Sequence, residues 1–284
     1  MITVPDEARR RLEVRFGPGV GAWVDRAPAL VDTLARRWGL VLDGPVLHGN
    51  SALVLPADRG VLKLHPDEAI AAAEAAALTH WGPAAHVVDL LDHDAGALLL
   101  ARVRPGDAVA DTLATDPAVL PALRELWTTP GVVAGLESAT ERMAFGLGLV
   151  RRRAASVADR LGADVLDRGE AAALALAAEP GHRGLVHGDL HGGNLLAGPD
   201  GAVVVDPRPC TGDRTSDLVD LVLVDPERID TTIGALAREL DGLDPDRLHA
   251  WCRALAPANA VAALRTAPGS GRTRALVALA RAGP

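Results

Sequence analysis

Aromatic residues are scarce in this sequence: two Phe, five Trp and no Tyr among 284 residues. Its core must therefore be assembled from Ala, Leu and Val. Only two cysteines are present, Cys210 and Cys252. They exclude a disulfide framework and are too few for a tetrahedral zinc site of their own. Long apolar runs are missing as well. The Ala69–Leu78 run is broken by Glu74, and none approaches the roughly 20 residues that span a bilayer. The opening MITVPDEARRRLEV has no apolar stretch like that of a signal peptide. A soluble cytoplasmic protein without a membrane partner is the expectation. Basic residues number 29 against 37 acidic ones, a net charge of −8. Such a balance supplies no broad phosphate-neutralising surface, which argues against a nucleic-acid partner and suits a cationic one better.

What is present is an ordinary globular composition, 49% hydrophobic and 23% charged, which excludes a disordered or low-complexity chain. One oddity stands out. Of the 29 basic residues, 28 are Arg and only Lys63 is Lys. A lone ammonium in an arginine-rich chain points to a site that needs a compact charge instead of a planar fork.

Along the chain, Trp23, Ala27, Leu30, Leu34 and Trp38 repeat at helical spacing and predict an amphipathic helix ended by Gly39. Ala52–Leu55 and Val61–Leu64 flank the turn-rich Pro56–Gly60 and predict a hairpin. Alternation there sends Leu62 and Leu64 to one face and Lys63 to the other. A helix is expected over 67–80, with Asp67 and Glu68 in its first turn, and strands over Val87–Leu91 and Ala97–Val103. From Gly106 to about residue 180 the texture is helical. Loops and strands follow over Leu185–Asp206, and then helices to the end. The pattern predicts an α+β chain of two lobes, a strand-rich one over 1–102 and a larger helical one over 103–284.

The segment Leu185–Asp217 carries the chemistry. Leu195–Ala197 and Val203–Val205 flank Gly198-Pro199-Asp200-Gly201, a strong hairpin signal. Folding about residue 200 is expected to set Asn194 opposite Asp206 at the open end. An amide oxygen and a carboxylate there would be hard ligands suited to Mg²⁺. Asp189 lies in a loop with Gly188, Gly192 and Gly193, placed to accept a proton from a substrate hydroxyl. His187, Asp189 and His191 alternate, but a zinc hydrolase needs a third strong ligand that no spacing here supplies.

His187-Gly188-Asp189-Leu190-His191-x-x-Asn194 resembles the catalytic loop of the protein-kinase-like superfamily in its antibiotic-kinase form, and Asp206-Pro207 its second metal-binding Asp. Residues 23–40, 59–63, 74–81, 97–106 and 187–217 follow, in style and order, the aminoglycoside/hydroxyurea phosphotransferases, a family that includes streptomycin kinases. The resemblance implies a kinase fold with a small antiparallel sheet in the N-terminal lobe and a mostly helical C-terminal lobe. It also implies residue roles. Asp189 would be the catalytic base, Asn194 and Asp206 would hold Mg²⁺, and Lys63 would contact the ATP phosphates. Glu74, with Glu68 as the fallback, would pair with Lys63. The Ala101–Val103 backbone would meet the adenine edge. His187 would brace the catalytic loop, and Asp217 would support it.

Departures from the pattern shape the substrate expectation. The nucleotide-covering loop falls near Leu47-His48-Gly49-Asn50-Ser51, with one glycine and no G-x-G-x-x-G; Ser51 is its candidate contact. Ala101 stands where many relatives carry an acid. Asp206-Pro207-Arg208-Pro209 replaces Asp-Phe-Gly and no Ala-Pro-Glu ending follows, so no protein partner is expected. From Asp206 to Asp246 eleven acids face four arginines, which predicts a negative cleft that attracts a cationic antibiotic. Streptomycin-like aminoglycosides fit that reading, as do basic cyclic peptides of the capreomycin and viomycin type. A kinase of another small metabolite and a non-catalytic ligand-binding kinase fold are the alternatives.

Overall fold

Alternating apolar side chains build the first of two units in a computed structural model, which describes residues 2–47, 49, 51–82, 84–109, 114–179 and 181–283. Unit 1 comprises Met1–Pro83 and Val87–Gly106; unit 2 comprises Ala84–His86 and Asp107–Pro284.

In unit 1 two helices, α1 (Asp6–Phe16) and α2 (Gly21–Trp38), precede a four-stranded antiparallel sheet of β1 (Leu53–Ala57), β2 (Gly60–Leu64), β3 (Leu90–Asp94) and β4 (Ala97–Leu100). The spatial order is β1-β2-β4-β3, and helix α3 (Glu68–Trp81) connects β2 to β3. Leu53, Leu55, Leu62, Leu64, Ala97 and Leu99 form one sheet face and pack with Leu12, Val24, Ala27 and Val31 of α1 and α2. Lys63 and Leu98, paired across β2 and β4, alternate to the opposite side. Asp67 caps α3 by accepting the Ala69 N–H at 2.9 Å.

Three expectations are corrected here. The buried stripe of α2 is Val24-Ala27-Val31, and Leu30 is 40% exposed. Trp23, Leu34 and Trp38 pack at the margin of the core, partly buried against it. The β1–β2 connection is the two residues Asp58 and Arg59, since β1 runs through Pro56, which pairs with Val61. Proline is tolerated there because β1 is an edge strand. Finally, β3 begins at Leu90 instead of Val87, and β4 ends at Leu100.

Unit 2 holds α4 (Leu120–Thr128), α5 (Ala139–Ala154), α6 (Ala158–Leu161) and α7 (Ala163–Ala178). The small ladders of the loop region follow: β5 (Arg183–Val186), β6 (Leu195–Gly198), β7 (Gly201–Val204) and β8 (Cys210–Asp213). Helices α8 (Val219–Val222), α9 (Ile229–Glu239), α10 (Pro245–Thr266) and α11 (Gly271–Ala282) close the chain. β5 pairs with β8 and β6 with β7, both antiparallel. Capping fixes the helix starts. Ser138 and Glu141 form a capping box on α5, and Asp244 accepts from Asp246 and Arg247 at the head of α10. No helix among the described residues is long and apolar enough to cross a membrane.

One buried carboxylate ties β8 to α10. Asp213 accepts from Arg247 Nε (2.5 Å), Trp251 Nε1 (2.7 Å), and the His182 and Thr215 amides (both 3.1 Å). Burial alone would raise its pKa, but these donors together hold it below its ordinary value. The stability it contributes is therefore in place above pH about 4 and is lost as pH falls through the depressed pKa. Asp213→Ala, which leaves the buried Trp251 N–H unpaired and takes one acceptor from Arg247, should cost about 1–3 kcal/mol in urea unfolding at pH 7. The wild-type advantage should shrink in the same measurement repeated at pH 3.

Candidate active site

The β5–β8 ladder ends at Val186, paired with Cys210, and the chain then turns into the loop that carries His187, Asp189 and Asn194. The turn requires Gly188. Its φ is +76°, and a Cβ there would meet the Arg208 carbonyl oxygen at 2.1 Å. Asp217 supports both sides of it. One carboxylate oxygen accepts the His187 N–H at 2.6 Å, and the other accepts the Gly188 N–H at 2.8 Å. Asp217 is half-buried as a residue, and burial of its carboxyl raises the pKa to about 7, against the pull of those two amides.

His187 is fully buried, and both ring nitrogens are engaged. Nε2 lies 3.1 Å from the Val205 carbonyl, which can only accept, so Nε2 carries the proton. Nδ1 then accepts the Asp189 N–H at 3.3 Å. Burial pushes the imidazole pKa down to about 4, so the ring is neutral at working pH. The neutral ring orients Asp189 and has no nitrogen left for a metal. His191 Nδ1 accepts the Gly193 N–H at 3.0 Å, and Asn194 Nδ2 donates to the Asp189 carbonyl at 2.8 Å. With its amide nitrogen so committed, Asn194 presents Oδ1 as its remaining donor group.

The hairpin register differs from the expected one. Leu195 pairs with Val204 and Gly198 with Gly201, so the turn centres between Pro199 and Asp200. Asn194 accordingly faces Val205, whose N–H donates to the Asn194 carbonyl at 3.0 Å. Asp206 lies one residue further, where simple alternation would turn it away. It has φ +56°, the single positive φ at a non-glycine among the described residues. This conformation, which costs on the order of 1–2 kcal/mol, breaks the alternation. Asp189 and Asp206 both bear electrostatically on the His187 ring. The donor set of a carboxylate and an amide oxygen is of the hard type that suits Mg²⁺.

In unit 1, Lys63 is 4% exposed, and its Nζ lies 2.6 and 2.7 Å from the two carboxylate oxygens of Glu74 on α3. Glu68, the fallback, is exposed. His65 joins the pair with Nε2 3.0 Å from Glu74 Oε2. The sequence reading missed His65, although its position two residues after Lys63 puts it on the same strand face. The Ala101 N–H donates to the Asp89 carbonyl at 2.8 Å. In the expected nucleotide-covering loop, His48 and Asn50 lie outside the described residues, and Ser51 is buried just ahead of β1.

Of the ten acids that follow Asp206 in this run, at least five are engaged in structural contacts. Asp213 and Asp217 serve as described, Asp220 binds Asn259 (2.9 Å), Glu239 pairs with Arg124, and Asp244 caps α10. The expected negative cleft is to that extent a set of structural contacts.

A family model described as aminoglycoside/hydroxyurea antibiotic resistance kinase matches residues 37–267. The chain belongs to this kinase family. It is 32% identical over 275 residues to a streptomycin 6-kinase of Streptomyces glaucescens, covering 88% of this chain and 87% of that one. It is 35% identical over 260 residues to a hydroxyurea phosphotransferase of Kitasatospora aureofaciens, covering 84% and 74%. The choline kinase LicA of Streptococcus pneumoniae shares the fold, with a TM-score of 0.63 at 12% identity over 91% of this chain and 99% of that one. The kinase is an ATP-dependent phosphotransferase acting on an alcohol group, and it has the protein-kinase-like fold.

Ionised Asp217 offers two full acceptors to the loop amides, whereas its protonated form offers a poorer one. The rate should therefore rise with pH through about 7. Stability should run the other way. Between about pH 4 and 7 the folded carboxyl keeps a proton that the unfolded chain releases, so stability falls across that window. Asp217→Asn, which opposes an NH₂ to a backbone N–H, should lower kcat about tenfold or more. It should also abolish the pH 7 inflection in the kcat profile.

Proposed function

We propose that this kinase inactivates an aminoglycoside of the streptomycin type by phosphorylating one hydroxyl, with Mg²⁺ held by Asn194 and Asp206. The observation that carries the acceptor class is the similarity to a streptomycin 6-kinase across nearly the whole chain. The chemistry is supported by Asp189, presented on a loop pinned at His187, Gly188 and Asn194.

In this reading Asp189 orients the acceptor hydroxyl and takes its proton as the new O–P bond forms. The bond from the γ-phosphorus to the bridging oxygen breaks, and ADP leaves with that electron pair. Asn194 and Asp206 would hold a divalent metal ion, which would supply charge neutralisation at the phosphates. Lys63 would contact the phosphates, with Glu74 and His65 holding the ammonium in place. The Ala101–Val103 backbone would meet the adenine edge. Turnover on the order of 1–100 s⁻¹ suits such chemistry.

Hydroxyurea is the second reading. It rests on the 35% identical hydroxyurea phosphotransferase and on the engagement of acids that would otherwise attract a polycation. ATP consumption with Mg²⁺ against streptomycin, other aminoglycosides, capreomycin, viomycin and hydroxyurea separates the two. Mass spectrometry should find a gain of one phosphate on streptomycin and none on hydroxyurea; the reverse result reassigns the acceptor. Asp189→Ala should remove transfer and leave ATP affinity within about threefold, as expected for a base that acts on the acceptor. Retained turnover in that variant overturns the assignment of Asp189.

A further inference from the structure

Arg208 is 8% exposed, and its Nη1 is fully buried with no hydrogen-bond partner among the described residues. A guanidinium cannot shed its proton to escape such a setting. An unpaired buried charge is among the costliest features a fold carries. Arg214, six residues on, shows the ordinary remedy in part: its two terminal nitrogens donate to the Trp127 and Thr129 carbonyls, and its Nε is left buried without a partner among the described residues. For Arg208 Nη1 no such acceptor is found among the described residues. Acids elsewhere in unit 2 are committed to other partners: Asp217 to the loop amides, Asp213 to Arg247 and Trp251, and Glu137 toward Arg142 at 3.9 Å.

The backbone of Arg208 is fixed at the catalytic loop. Its N–H donates to the His187 carbonyl at 2.8 Å, and its own carbonyl is the group that Gly188 must leave room for. Buried Pro207 and Pro209 restrict the chain on both sides. Asp206 is two residues before it, and Asp189 two residues beyond its partner His187. A buried charge with an unpartnered Nη1, carried on backbone fixed at this loop, is suited to an anion that arrives with the substrate. Guanidinium geometry matches the oxygens of a phosphoryl group.

We infer that Arg208 binds the phosphoryl group undergoing transfer, as the terminal phosphate of the nucleotide and then as the phosphate on the product. This inference rests on the reading of Asp189 as the base. It adds a residue that meets charge developing on the phosphoryl oxygens, separate from the metal ligands and in the same unit as Asp189.

The test uses Arg208→Met and Arg208→Lys in the full chain, with ATP and ADP affinities from calorimetry and thermal melts without ligand. Arg208→Met should lower the ratio of ATP to ADP affinity about tenfold or more and kcat by about 10²–10³-fold, as loss of a preorganised donor does. Its ligand-free Tm should equal or exceed that of the wild type by about 2–4 °C, because a desolvated charge is gone. Arg208→Lys should recover part of kcat. An unchanged ATP-to-ADP ratio overturns the inference whatever the Tm, and so does equal weakening of both nucleotides, which would place the contact on the inner phosphates. Wild-type protein that binds ATP but phosphorylates no acceptor in the panel would fault the substrate reading; the affinity ratio would still decide the role of Arg208.

Discussion

The Asp217 carboxylate is the contact on which the loop of unit 2 depends. A chain that leaves a strand at Val186 and carries Asp189 three residues later has to expose two backbone amides at a sharp turn. Asp217 accepts both. The arrangement is a compromise between two physical demands. Burial, which keeps water from competing for the amides, penalises the charge that makes the carboxylate a good acceptor. The raised pKa expresses that conflict. His187 completes the loop by the opposite route. The same burial keeps it neutral, and a neutral imidazole can donate to Val205 and accept from Asp189 at once, which an imidazolium cannot.

Three of the cations held away from water among the described residues are handled in three ways, and the differences carry information. Arg247 is matched to Asp213, a closed network that fastens α10 to β8 and serves stability. Lys63 is matched to Glu74 with His65 alongside, a compact pair on a strand face where an ammonium can turn toward a phosphate. Arg208 is unmatched. In a sequence with 28 arginines, a charge of convenience would be placed on the surface. Burial without a counter-charge beside the loop is instead a local cost in stability, of the kind that working sites retain.

Much of this was legible before the structure. Period-2 alternation placed Lys63 opposite Leu62 and Leu64, and the Gly-Pro-Asp-Gly turn located the second hairpin. The hairpin register was misjudged by one residue. Folding about Asp200 set the centre half a residue late: the Gly198–Gly201 motif closes on a two-residue turn centred between Pro199 and Asp200. The positive φ of Asp206 has no sequence signal, since aspartate gives no warning of the left-handed region as glycine does. Helix α1 was missed because DEARRRLEVRF reads as polar, with only Ala8 and Leu12 buried. The β5–β8 ladder pairs segments some 27 residues apart by backbone hydrogen bonds, which side-chain pattern does not reveal.

The acidic run shows how charge counting differs from charge placement. Eleven acids between Asp206 and Asp246 look like a field for a cation, yet Asp213, Asp217, Asp220, Glu239 and Asp244 each hold a helix end, a loop or another element. What remains acts at long range and is screened within about a Debye length, near 8 Å at physiological salt. It can speed the encounter with a cation but cannot select among acceptors. The transfer apparatus proposed around Asp189 is likewise indifferent to what carries the hydroxyl. A neutral or a polycationic acceptor could be served by the same loop, as the names of the two relatives suggest for theirs. Acceptor choice must then lie in side chains outside the motif, where the sequence carries no recognisable spacing.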